Sequence, residues 1–400
     1  MKRNKFWKVS VFALFFAVLA VISIGCASAD TIYVPEGGNQ TIQQAVNNAS
    51  EGDTIIVRDG TYNENVDVGK SYLTIRSENG SANCIVNASN SNDHVFDVQQ
   101  NYVNISGFTV ENATEYPKAG IYLNGRQHCS ISSNNASNNY YGIYLYSSSN
   151  NNTLTNNTAS NNYYGIRLYQ SSNNNTLTNN TASNNDYGIY LEYSSNNNTL
   201  TNNNASSNSY GIWLQSSSNN TLTNNTANSN NYYGICLDSS SNNTLTENTA
   251  SNSNYGIYLD SSSNNLLYHN NLINNTNNNA YDTSTNQWNT STVGNYYSDY
   301  TGSDNDSDGI GDTSHQILGG SSIDYFPLMH PWGKPPLKGD LDDDDKITSK
   351  DAAIVLQIAV GSHPCNPQIL AIADVSGDGR VSSLDALMIL QNCTTSLCRK

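Results

Sequence analysis

Two stretches near the C-terminus set oxygen-bearing side chains at intervals that suit a hard divalent cation. In the first, Asp340, Asp342, Asp344 and Asp351 hold positions 1, 3, 5 and 12 of a twelve-residue segment, with the backbone carbonyl of Lys346 at position 7 and Thr348 at position 9. In the second, Asp374, Ser376, Asp378 and Asp385 repeat the pattern, with Arg380 at position 7 and Ser382 at position 9. Calcium takes six to eight oxygens at such spacing. A third acidic run, Asp304, Asp306, Asp308 and Asp312, alternates in the same way and is a candidate for a further calcium. Farther upstream, Glu192, Asp238 and Asp260 recur at equivalent places in a repeat, and Tyr122, Tyr144, Tyr190, Trp213 and Tyr258 form a second set two residues earlier in the same units. Paired carboxylates about 5 Å apart are what a retaining glycosidase uses, and flat aromatic faces stack on sugar rings.

These sets acquire meaning from the repeat that carries them. Gly-Ile-x-Leu recurs at Gly120, Gly142, Gly165, Gly188, Gly211, Gly234 and Gly256, at spacings of 22 or 23 residues. A second apolar point follows in each unit (Ile131, Leu154, Leu177, Leu200, Leu222, Leu245, Leu267), then a third (Ala136, Ala159, Ala182, Ala205, Ala227, Ala250, Leu272). A fixed period of this length predicts a solenoid. No unit holds ten residues at helical spacing, and the aliphatics alternate as in short strands with one buried face. The fold expected is therefore an all-β parallel β-helix, one coil per repeat, rising about 4.8 Å per coil. Stacked asparagines then form amide ladders at the turns and tolerate left-handed backbone. Asn151, Asn156 and Asn179 also begin Asn-x-Thr glycosylation triplets, with the turn role as the default. Before the regular units, Ile42, Ala45, Val46 and Ala49 have helical spacing, so residues 40–49 should form an amphipathic helix that plugs the open end.

Lys2, Arg3, Lys5 and Lys8 precede an apolar run and then Ala27-Ser28-Ala29, which reads as a secretory signal cleaved before Asp30. No later segment is apolar enough to span a bilayer, so the mature protein should be exported without a membrane span. Lys and Arg total 17 against 33 Asp and Glu. That balance argues against nucleic acid as a partner, because phosphate-backbone binding needs clustered cations. Export permits disulfides, and Cys365 is placed to pair with Cys393 or Cys398.

Ile32-Tyr33-Val34-Pro35, the segment Thr41 to Val46 and the run Gly52 to Tyr62 resemble pectate-lyase-type right-handed β-helix proteins. The Tyr-Gly-Ile-Tyr-Leu units and the run Gly294 to Tyr300 resemble the NosD-like branch, with its carbohydrate-binding/sugar-hydrolysis repeats and its likeness to methanogen surface proteins. The acidic pair, each loop running into one apolar helix, resembles a type I dockerin over residues 337–392. One departure is Asp345, at a loop position where that family has Gly. The domains implied are a signal peptide at 1–29, a β-helix at 30–300 with regular repeats from about 118 to 280, an acidic cap and Pro-containing linker at 301–336, and a small all-α dockerin at 337–400. The resemblance implies calcium as cofactor and a cohesin-bearing scaffold as partner, read through Ser349, Lys350, Ser383 and Leu384.

The function expected is that of a secreted, surface-associated protein that binds polysaccharide. It either degrades it as an O-glycosyl hydrolase or lyase, with Glu192, Asp238 and Asp260 as weak catalytic candidates, or serves as a non-catalytic adhesive or structural component. From residue 127 to residue 333 Arg167 is the only Lys or Arg, which leaves a lyase centre in the repeats poorly supported. Two minor alternatives are copper handling, which needs Met, His or Cys clusters that the sequence does not assemble, and ice binding by Thr-x-Thr arrays such as Thr153/Thr155 and Thr176/Thr178.

Overall fold

A computed structural model of the protein describes residues 29–35, 40–306, 308–333, 337–342, 346–365 and 367–397, with backbone only at 367–368 and 392–397. The signal segment 1–28, the loop residues 343–345 and the linker residues 334–336 lie outside the described residues. The chain divides into two compact units, residues 1–198 and 199–400.

In the first unit the backbone winds through three parallel sheets, one short strand per sheet in each coil. Ile143 pairs in register with Ile121 and Ile166, Leu154 with Leu177, and Ala159 with Ala182. These side chains are wholly buried. They are the three apolar points of the repeat, so each coil inserts one aliphatic layer per sheet into a common core. The glycine before each Ile is dictated by the stacking: a Cβ on Gly142 would stand 2.5 Å from the carbonyl oxygen of Gly165 in the next coil.

The Asn-Asn pairs at the corners divide the labour. Asn156 takes a left-handed φ of 57° and faces solvent. Its neighbour Asn157 is buried and joins a ladder. Its Oδ1 accepts from the backbone N–H of Asn134 at 3.1 Å, and its Nδ2 donates to the carbonyl of Ile131 at 2.8 Å and to Oδ1 of Asn180 at 3.0 Å. Parallel ladders run through Asn139, Asn162 and Asn185, and through Asn152 and Asn175. Buried turn backbone is thereby satisfied without water.

The expected N-terminal plug is helix α1, Ile42–Asn48. Thr41 caps it in a reciprocal box with Gln44, and Ile42, Ala45 and Val46 are buried. The Glu64 carboxylate accepts from the N–H groups of Ile42 and Gln43 at 2.9 and 3.0 Å, an anion at the positive end of the helix.

The second unit continues the same coil plan. Leu222 pairs with Leu200 and Leu245, Ile235 with Ile212 and Ile257, and Ala250 with Leu272. Its corner ladder passes from Asn203 through Asn225, Asn248 and Asn270 to Asn295. A hairpin of His315–Gln316 and Ile323–Asp324 follows. There Asp324, fully buried, accepts from the N–H of Asn295 at 2.8 Å and the hydroxyl of Tyr297 at 3.0 Å. Burial pushes its pKa up to about 6 despite these donors. The folded state thus holds this proton more tightly than the unfolded chain, whose value is near 3.8. The resulting stabilisation is complete below that value and is lost as pH rises through about 6. The urea midpoint of the chain should therefore fall between about pH 4 and pH 6 through this group, and Asp324→Asn should remove that component.

The C-terminal part of this unit holds helices α2 (Ser349–Ala359), α3 (Pro367–Ala373) and α4 (Ser383–Leu397). Ala352, Val355, Ile358, Ala373, Ala386 and Ile389 form its core, with Ile347 and Val381 of the two loops packed against it. Helix α3 was not expected from the sequence. It starts on Pro367, whose fixed φ suits a first helical turn, and contributes Ile369 and Ala373 to the packing. Cys84, Cys129 and Cys236 are buried free thiols, and Cys365 is exposed and bonded to no described sulfur. The side chains of Cys393 and Cys398 lie outside the described residues. Among the described residues no helix is long and apolar enough to cross a membrane.

Candidate functional site

The outer face of the Gly-Ile sheet is the most unusual surface of the first unit. Strands Ala119–Asn124, Tyr141–Tyr146, Tyr164–Tyr169 and Tyr187–Glu192 lie side by side, aligning Tyr122, Tyr144, Arg167 and Tyr190 in one column and Asn124, Tyr146, Tyr169 and Glu192 in another. Both columns were expected. A third, Tyr141, Tyr164 and Tyr187, was not. Its rings fold over the first column: Tyr141 stacks on Tyr144 at 4.3 Å, Tyr164 on Tyr190 at 5.9 Å and Tyr187 on Tyr190 at 5.2 Å.

This corrects the expectation of an open aromatic strip. Tyr144 and Tyr190 are only 6% exposed. Burial raises the pKa of both phenols, so they stay protonated. Tyr122 is half-buried, stacks on His94 at 4.0 Å, and has its pKa pushed up to about 12 by burial. Open rings sit at the corners instead, Tyr163 and Tyr193 among them. The doubled Tyr before Gly at 140–141 and 163–164 was the available signal for the extra layer.

Arg167 interrupts the tyrosines and is enclosed by them. Its guanidinium lies 4.3 Å from the Tyr169 ring centre, 4.8 Å from Tyr164 and 5.5 Å from Tyr141 and Tyr144. It donates to the Tyr141 hydroxyl at 2.8 Å and forms an ion pair with Glu192. Burial opposes its charge, but Tyr141 and Glu192 more than compensate and raise its pKa. Glu192, a catalytic candidate in the sequence, is buried and already committed to Arg167. Removing one member of such a pair leaves a desolvated charge, so Glu192→Gln should cost about 3 kcal/mol, read as a shift in urea midpoint. Arg167→Tyr with Glu192→Gln should recover most of that loss.

In the second unit Trp213 packs on Tyr210 at 4.8 Å, and Tyr258 stacks between Tyr233 at 4.7 Å and Tyr281 at 5.0 Å. Cys236, between Trp213 and Tyr258 in register, is 2% exposed. Asp238 and Asp260 are paired across adjacent strands, as expected, and both are half-buried. Gln215 donates to Asp238 at 3.2 Å and Thr283 to Asp260 at 2.8 Å. Two carboxylates one strand spacing apart, about 4.8 Å, are thus held on one face by neighbouring donors.

The acidic loops gather their carboxylates inward. Asp340, Asp351, Asp374 and Asp385 are buried, and oxygens of Asp340, Asp342 and Asp351 lie within 4.8 Å of one another. Asp351 accepts from the N–H groups of Leu341 and Thr348 at 2.7 Å. Asp374 accepts from Gly377 and Gly379, and Asp385 from Ser376 and Ser382. Burial alone would raise these carboxyls, but the backbone donors outweigh it and hold all three below the ordinary value. Deprotonated, inward-facing oxygens are what calcium requires. Asp344 lies outside the described residues. Ser349, Lys350, Ser383 and Leu384 are exposed at the starts of α2 and α4.

In the third acidic run, oxygens of Asp304, Asp306 and Asp308 also approach within 4.8 Å, while Asp312 accepts from Asn305. Copper fits poorly: among the described residues no His or Cys joins such a cluster, and Met388 lies in α4 while Met329 lies in the irregular segment after the hairpin.

The architecture is that of a parallel β-helix protein carrying a dockerin-like helical module. The NosD family model, described as a periplasmic copper-binding protein, matches residues 46–197 and 149–302, more than half of the chain. The chain belongs to that family. A type I dockerin domain model matches residues 338–392. A cell surface glycoprotein of Methanothermus fervidus is 34% identical over 141 residues, 34% of this chain and 22% of that protein, so the match spans about a fifth of the relative's length. Among solved structures, the A-module of a mannuronan C-5 epimerase from Azotobacter vinelandii superposes with a TM-score of 0.51 at 15% identity, covering 68% of this chain and 87% of that one. The Geobacillus virus E2 ORF18 protein gives 0.54 at 13% identity, over 80% and 72%. A bacteriophage tailspike protein from Escherichia coli O157:H7 phage CAB120 gives 0.53 at 14%, over 74% and 46%. These likenesses establish the fold alone.

Proposed function

We propose that the protein is an exported, surface-associated component of a cohesin-scaffolded complex, and that its β-helix holds polysaccharide. The observation that carries this reading is the dockerin module, with its buried, deprotonated acidic loops. Calcium orders the loops and presents Ser349, Lys350, Ser383 and Leu384 to the cohesin. Sugar contact falls to the open rings, to Tyr122, Trp213 and Tyr258, and to the polar face around Asp238 and Asp260. The relative described as a cell surface glycoprotein supports the location, and the mannuronan epimerase supports polysaccharide as the ligand class. The third acidic run, at Asp304, Asp306, Asp308 and Asp312, is a candidate for an additional calcium.

A second reading, a non-catalytic adhesive role, is favoured by the closed Arg167–Glu192 cluster and by the regularity of the coils, since active sites break local rules. A glycan panel scored for reducing ends and unsaturated products separates the two. Turnover lost in both Asp238→Asn and Asp260→Asn supports catalysis on that face. Glycan retention without turnover supports the adhesive reading and removes the enzyme.

A further inference from the structure

At least six of the chain's nine Asn-Asn-Thr triplets fall on the coil in one orientation. In the first unit, Asn151, Asn156, Asn174 and Asn179 have φ values of 55–58° and exposed side chains. Asn219 and Asn242 do the same in the second, at 59° and 58°. The middle residue of each triplet is the buried ladder asparagine: Asn152, Asn157, Asn175, Asn180, Asn220 or Asn243. The third begins the next strand: Thr153, Thr176 and Thr221 are exposed, and Thr158, Thr181 and Thr244 are half-buried. None of the ladder asparagines named above itself begins an Asn-x-Ser/Thr triplet. Among the described residues, no side-chain hydrogen bond engages the amides of Asn151, Asn156, Asn174, Asn179, Asn219 or Asn242. The carboxamide and the hydroxyl that an N-glycosylating enzyme must reach together are therefore both on the surface of the folded coil. The residues that would unravel the turn if modified are all excluded from acceptor positions.

We propose that these six asparagines are N-glycan attachment sites arranged in columns along the coil corners, and that they accept glycan on the folded protein. The donor class is a polyprenyl-phosphate-linked oligosaccharide. In the transfer the amide Nδ2 forms a bond to the anomeric carbon and gives up one proton to a base of the transferase. The bond from that carbon to the phosphate oxygen breaks, and the polyprenyl phosphate leaves with its electron pair. Consecutive acceptors in one column, such as Asn151 and Asn174, stand about one coil rise apart, ~4.8 Å. Within each unit, occupied columns would cover only the corners that carry these asparagines and leave the Gly-Ile sheet face uncovered. The inference needs export but not the polysaccharide or cohesin parts of the reading above, and its test involves neither ligand.

The test uses the full chain, folded in calcium, incubated with an oligosaccharyltransferase of Asn-x-Thr specificity and its lipid-linked donor, then mapped as glycopeptides. Glycan should appear at the six positions on the folded chain. Thr153→Ala should abolish it at Asn151 alone, with unchanged circular dichroism, and Thr153→Ser should retain it. Transfer at none of the six, or only after unfolding in urea, would overturn the proposal.

Discussion

Chelating calcium should unfold the C-terminal module while leaving the coils folded. Among the described residues the module's core is small, six buried apolar residues with six half-buried neighbours, and a core of that size supplies little stability by itself. Asp351 and Asp385 are fully buried and deprotonated, so without a cation each loop concentrates like charges in a desolvated space. A cation that binds only the folded form adds RT ln(1 + [L]/Kd), about 4 kcal/mol at a thousandfold excess over Kd. Helical ellipticity from α2–α4 should vanish in chelator and return on titration of calcium with a stoichiometry near two per module, following the two loops. Asp385→Asn should weaken the second site and lower the melting temperature in calcium. Retained helicity in chelator, unchanged by calcium, would contradict the assignment.

Asn157→Ala should destabilise the β-helix by about 4 kcal/mol, two orphaned buried backbone groups at 1–3 kcal/mol each plus a small cavity. The substitution removes the acceptor of the Asn134 N–H and the donor to Ile131. Asn156→Gly, one residue away, should change stability by only a few tenths of a kcal/mol, since glycine accepts the left-handed φ at no steric cost. Urea midpoints of the two variants measure the contrast. Equal effects at the two positions would show that the ladder does not carry the turn.

That contrast also marks what the sequence made legible. Gly-Ile-x-Leu at a fixed period located the coils, because every copy must put Ile and Leu into one core and Gly against the next carbonyl. The role of Asn as a class was legible, but which member of an Asn-Asn pair was buried was not, since both suit a turn and only the coil geometry separates them. Alternation correctly placed Tyr144 and Tyr190 on the outward face. It was silent on the Tyr141, Tyr164 and Tyr187 rings that cover them, because lateral leaning across a glycine follows no period. The Arg167–Glu192 pair was hidden for a related reason: the partners lie 25 residues apart on neighbouring coils and in different columns. The spacing of the acidic loops, by contrast, is a local property of the chain, and Asp340, Asp342 and Asp351 meet in the structure as that spacing predicts.

The most direct test of the central claim is a bridging sedimentation assay. Labelled type I cohesin modules are mixed with insoluble glycans, with and without the full chain, in calcium and in chelator. The account predicts that cohesin sediments with glycan only when both the chain and calcium are present. Cohesin that stays in solution with chain and calcium present, across the cohesin and glycan panels, would contradict it.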